Sequence, residues 1–114
     1  MNSDGLSSHE QRRFERSRLE TAVAVTCRGQ FLVQNCLNIS EGGMLLRVYS
    51  RYLVGDLIEV GCFIPGGSFI KAVAEVAYVM EPKAGEFYAG LRFIEIQQSS
   101  QLAIRQFVQE TNLK

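Results

Sequence analysis

Apolar residues in this chain alternate with polar or small ones in short runs, and glycine-rich turns separate the runs. From Thr21 to Cys27, Val23, Val25 and Cys27 fall on one face and Ala22, Ala24 and Thr26 on the other. That period of two is the mark of a half-buried strand. Arg28-Gly29-Gln30 makes a turn, and Phe31 to Leu37 returns as a second strand. Glu41-Gly42-Gly43 reads as a tight turn in which the paired glycines accept positive φ. Met44 to Val48 is a third strand, Val54-Gly55-Asp56 a turn, and Leu57 to Ile64 a fourth strand. Pro65-Gly66-Gly67-Ser68 is a hairpin loop before a long fifth strand, Phe69 to Met80. In that strand Ile70, Ala72, Ala74, Val76 and Tyr78 share a face, which places Tyr78 with the core, while Lys71, Val73, Glu75, Ala77 and Val79 share the other. Glu81 to Gly85 turns the chain into a last strand, Phe87 to Ile94.

The period then changes. Ser99 or Ser100 is placed to cap a helix, and Ala103, Ile104, Phe107 and Val108 form one helical stripe. A single apolar stripe is what a terminal helix needs to dock, so it is read as core packing. The whole predicts an all-β domain with a terminal helix: about six antiparallel strands forming a small barrel or sandwich. Closing the sheet would remove its exposed edges.

Composition narrows this picture. At 114 residues the chain fits one domain, and 46% hydrophobic residues supply a core without staples. The expected division is a flexible N-terminal arm over residues 1–11, then the domain over 12–114. Twelve basic and twelve acidic residues cancel, which argues against a general nucleic-acid coat. The three cysteines, Cys27, Cys36 and Cys62, are odd in number and lack metal-ligand spacing. They read as free, partly buried thiols in a reducing cytosol, with neither disulfide framework nor metal site expected. No apolar run suggests a signal peptide or a membrane span, so a cytoplasmic protein is expected.

The candidate chemistry lies in two short motifs flanking the first hairpin. Arg12 and Arg16 are spaced R-x-x-x-R, and Arg13 and Arg18 add to the local positive charge. Arginine presents a planar fork of donors that matches phosphate oxygens or the O6 and N7 edge of guanine. Asn38, Ser40 and Gly43 read N-x-S-x-x-G. An amide and a hydroxyl two residues apart share a strand face, and glycines let backbone approach a ligand. A hairpin brings its two ends together, so both motifs face one ligand. The one histidine, His9, lies in the arm without an orienting partner, and nucleophile, zinc-protease and phosphate-loop patterns are missing, so no enzyme and no catalytic residue is expected. Asp56, Glu59 and Glu75 read as solvated charges, with Glu75 on the opposite face from Tyr78.

The motif pair, in this order and separation, resembles the PilZ domain family of cyclic di-GMP receptors. Val54-Gly55-Asp56-Leu57-Ile58 and Ala89-Gly90-Leu91-Arg92-Phe93 extend the resemblance over about residues 10–110. It implies a six-stranded antiparallel β-barrel with a C-terminal helix, and an arginine arm folding over one end. It implies cyclic di-GMP as ligand and no cofactor. Arg12, Arg16, Asn38, Ser40 and Gly43 would form the pocket, with Gln11, Arg13, Gly42 and Tyr78 as further contacts. Asn38 stands where many members carry Asp; an amide has one acceptor atom where a carboxylate has two. The resemblance further implies closure of the arm on ligand, an unidentified protein partner signalled in trans, a monomer or weak dimer, and a role in motility or biofilm control. The alternatives are a degenerate relative that binds protein without nucleotide, and a nucleic-acid binder using the basic arm. Zero net charge speaks against the last.

Overall fold

The computed structural model describes residues 15–112. Six strands, β1 (Ser17–Cys27), β2 (Gln30–Ser40), β3 (Gly43–Val48), β4 (Leu57–Phe63), β5 (Phe69–Lys83) and β6 (Glu86–Ile96), precede helix α1 (Gln98–Asn112). Every pairing is antiparallel, and the strands close into a ring in the order β1-β2-β3-β6-β5-β4. The ring has no free edge to template pairing with another chain.

Alternation dictates what lies inside. Val23, Val25 and Cys27 of β1, Met44, Leu46 and Val48 of β3, and Ile70, Ala72, Ala74 and Val76 of β5 are all buried in one core. Helix α1 touches β1, β2 and β5, which are not all neighbours in the ring, so it lies across one end of it. Ile104 and Val108 are buried from the helix stripe, and Ala103 and Phe107 pack beside them. The expected stripe is thus a core face. The helix starts at Gln98, before either serine expected to cap it. Ser100 is instead buried inside the helix, where its Oγ accepts the Lys71 amide of β5 at 3.2 Å.

Two turns are fastened together. Arg28 and Gly29 both have positive φ, 50° and 77°, the two-residue turn whose twist suits a hairpin. The Arg28 guanidinium donates to Asp56 Oδ1 at 2.7 Å, and Asp56 Oδ2 accepts the Leu53 amide at 2.9 Å. Asp56 is therefore a largely buried turn carboxylate, not the solvated charge its position suggested. Inside the ring, Gln34 is buried and its amide is fully used. Nε2 donates to Tyr52 Oη at 2.9 Å and Ser50 Oγ at 3.4 Å, and Oε1 accepts the Tyr49 amide at 3.0 Å.

The strand registers shift at five points, and two of these shifts, each of one residue, redirect side chains of the candidate site. In β2 the pairs run Cys36 with Leu46, then Asn38 with Leu45, leaving Leu37 unpaired. In β5 they run Val76 with Leu91, then Tyr78 with Gly90, leaving Ala77 unpaired. A bulge moves every following side chain to the other face. Tyr78 is consequently not a core residue: it stands on the outer face, 41% exposed. Glu75 lies on that same outer face, ion-paired with Arg92.

Candidate functional site

The bulge at Leu37 is what makes the site. With regular alternation Asn38 would follow Cys36 into the core; with one extra residue it pairs with Leu45 and faces outward. The Cys36 thiol, itself buried, donates to the Asn38 carbonyl at 3.3 Å and pins the irregular backbone. On the other side of the hairpin Ser17 pairs with Ile39 and Arg18 with Asn38. That register carries Arg16, just before β1, to the amide of β2. Arg16 Nη1 donates to Asn38 Oδ1 at 2.8 Å, across 22 residues of sequence.

The two side chains line a concave cleft of about 480 Å³ with Ser17, Arg18, Glu20, Leu37 and Arg47. Arg18 is paired with Glu20 at 3.1 Å. The adjacent Tyr88 side chain raises the pKa of Arg47 above its ordinary value, and an arginine is charged at any ordinary pH. The cleft is therefore cationic and polar, with donors from three guanidinium groups around one amide. That set suits an anion with planar acceptor edges. A second concavity, about 300 Å³ and lined by Leu53, Val79, Met80 and Phe87, is more apolar. Its Arg51 lies 3.9 Å from Glu81.

The remaining predicted residues fall in different places. Ser40 is buried, at 2% exposure, and its Oγ accepts the Gly42 amide at 3.1 Å. The hydroxyl shapes the β2–β3 turn. Gly43 does not have the positive φ expected of it; it is required because a Cβ there would overlap the Leu91 carbonyl of β6. Neither residue lines the cleft. Tyr78 lies in the same outward row as Asn38, by way of Leu45 and Gly90, and its ring covers Gly90. Gln11, Arg12 and Arg13, with His9, lie outside the described residues. Arg18 belongs in sequence to the basic cluster around the first motif, and Arg47 belongs to neither motif, yet both line the cleft. Arg47 is two residues beyond Leu45 on the outward face of β3, so the pairing of Leu45 with Asn38 was the signal that could have found it.

Both motifs also touch the terminal helix. Asn112 Nδ2 donates to Glu15 Oε1 at 3.1 Å, and Ser17 Oγ donates to Asn112 Oδ1 at 3.4 Å. Arg105 forms a bidentate pair with Glu41, with both N–O distances 3.1 Å. Among the described residues the cysteines are free and buried, and no cluster of metal-ligating side chains occurs. Burial pushes the Cys36 thiol up to about 12 and the Cys62 thiol up to about 11. No helix among the described residues is long and apolar enough to cross a membrane.

Fold and cleft together define a small all-β domain with an arginine-and-amide cleft outside a closed ring of strands. The PilZ domain model matches residues 10–110, and the chain belongs to that family. Its backbone is similar to that of the Bacillus subtilis inhibitor of motility MotI/DgrA, with TM-score 0.82 and 20% identity over 90% of this chain and 51% of that one. It is similar also to the PilZ domain of Escherichia coli YcgR solved with c-di-GMP, with TM-score 0.69 and 15% identity over 90% of this chain and 92% of that one. A third similar structure is the K. pneumonia MrkH–c-di-GMP complex, with TM-score 0.70 and 17% identity over 90% and 52%. The chain thus spans about half the length of MotI/DgrA and of MrkH. No curated protein matches the chain closely.

Proposed function

We propose that this protein is a cyclic di-GMP receptor whose ligand sits in the Arg16–Asn38 cleft. One observation carries the reading: the Arg16 guanidinium and the Asn38 amide, from the two separate motifs, meet at 2.8 Å on the rim of one cationic cavity. Family membership and the presence of c-di-GMP in the structures of similar domains support it. Cyclic di-GMP offers two phosphodiesters and two guanine edges, the acceptors that arginine forks match.

In this reading the ring acts as a PilZ barrel, and ligand replaces the direct Arg16–Asn38 bond with contacts of its own. The arm carrying Arg12 closes over the ligand, with Gln11 and Arg13 beside it. The rearranged surface then acts on a protein partner in trans, in the cytoplasm, in a pathway such as motility or biofilm control. Gly42, Gly43 and Ser40 serve the site by holding the turn that presents Asn38. The domain is a receptor module, with no chemical step of its own.

Calorimetric titration with cyclic di-GMP tests the proposal. Binding is expected, and Arg16→Ala should weaken it by about 2–5 kcal/mol, as for truncation of a desolvated charged contact. No heat together with no rise in melting temperature at high ligand would reject the receptor reading. It would leave a protein-binding module that does not take nucleotide.

A further inference from the structure

Arg18, Arg28, Arg51, Arg92 and Arg105 each have a carboxylate within 4.0 Å. Arg16 and Arg47 have none among the described residues, and these two line the same cleft. Uncompensated cations gathered in one concavity are arranged for an anion from outside the chain. Arg16 is already accounted for by its motif. Arg47 belongs to neither motif.

The surroundings of Arg47 set its guanidinium in place without an ion pair: the charge of Glu86 reaches it, but no carboxylate of the described residues lies within 4.0 Å. Its Cζ lies 5.8 Å from the centroid of the Tyr88 ring, within cation–π range. The Tyr88 hydroxyl donates to Glu86 at 2.6 Å, which fixes the ring beneath it. The Nε of Arg47 is buried and has no hydrogen-bond partner. A buried donor left unpaired is rare and costly, so the resting position of this side chain is incomplete. Moving onto an acceptor in the cleft would satisfy that donor.

We infer that Arg47 is a third ligand-contacting arginine of this domain, taking a phosphodiester oxygen of the nucleotide held by Arg16 and Asn38. The assignment to phosphate, not to a base edge, follows from charge: an unneutralised cation gains most from a full negative charge. Tyr88 is the positioning residue, acting through Arg47 by way of its ring. The inference rests on the cyclic di-GMP reading and adds a contact to it.

The test is titration of cyclic di-GMP into the full chain and into Arg47→Gln, Arg47→Lys and Tyr88→Phe, at low and high salt, with each variant's melting temperature measured. Arg47→Gln is expected to weaken binding at least about tenfold and to make it less salt-sensitive. Arg47→Lys, which keeps the charge and the stem, should stay within a few-fold of the wild type. Tyr88→Phe, which keeps the ring, should do the same. Arg47→Gln binding within twofold of a wild type that does bind would overturn the inference and leave the receptor reading standing. Arg47→Lys as weak as Arg47→Gln would overturn the phosphate assignment. Failure of the wild type itself to bind would reject the receptor reading and this contact with it.

Discussion

Replacing Gly43 by alanine tests whether this motif glycine serves the fold. A Cβ at Gly43 would overlap the Leu91 carbonyl oxygen and lie 3.0 Å from its carbon and 3.3 Å from Arg92 Cα. All of these are backbone atoms of the neighbouring strand, so no side chain can swing aside. The strands must part locally, where Gly43 pairs with Arg92 and the Phe93 amide donates to the Gly42 carbonyl at 2.9 Å. Overpacking costs about 1–3 kcal/mol. Weakening one or two ladder bonds adds about 1 kcal/mol each. The lower chain entropy of unfolded alanine gives back about 0.4–1 kcal/mol. The net expectation is a loss of about 2–4 kcal/mol. For a domain of this size that lowers Tm by roughly 8–16 °C. Thermal and urea unfolding would measure it. Gly61→Ala is the control: its Cβ would meet only the rim of the Phe69 ring, at 2.9 Å, and that exposed ring can move. A Gly43→Ala protein as stable as the wild type, or no more destabilised than Gly61→Ala, would refute the reasoning.

Gln34→Leu should cost about 2–4 kcal/mol in urea unfolding, because it strands the buried Tyr52 hydroxyl and the Tyr49 amide without their partner. Stability should fall on the alkaline side: the Cys36 and Cys62 thiols titrate at about 12 and about 11 when folded, above an unfolded thiol near ~8.5. Between those values the unfolded chain holds fewer protons, so unfolding becomes easier as pH rises, and Cys62→Ala should flatten part of that slope in pH-dependent melts. Asp56→Ala should cost about 1–2 kcal/mol, since it removes the acceptor of both Arg28 and the Leu53 amide; equal melting temperatures would contradict that.

Much of the fold was legible because the physical signal was local. The two-residue period over Val23, Val25 and Cys27, the turn at Arg28-Gly29 and the stripe of Ile104 and Val108 each depend on neighbours a few positions away. The meeting of Arg16 with Asn38 followed from the hairpin, once its register was granted. What failed were statements that depend on distant partners. Tyr78 was assigned to the core because nothing in its own strand announces the unpaired Ala77. Ser100 looked like a cap because its bond to the Lys71 amide crosses between elements. Asp56 looked solvated because Arg28 is far away in sequence. The reason for Gly43 is a strand that enters the chain some 48 residues later, at Leu91.

The bulge at Leu37 has a consequence for how this binding face can be lost. Side chains along a strand obey a parity rule, and one extra residue acts as a parity bit for everything downstream until a turn resets it. Substituting Leu37 leaves that count intact, so Asn38 should go on facing outward with almost any residue before it. Deleting Leu37 leaves Asn38 directly after Cys36 and still opposite Leu45, so on the β3 ladder the bulge is lost but Asn38 keeps facing outward. The outward face is thus insensitive to the spelling of this position and sensitive to whether Leu37 stays out of the ladder. A slip of one residue, which would set Leu37 opposite Leu45 and Asn38 opposite the buried Met44, is the change that erases it.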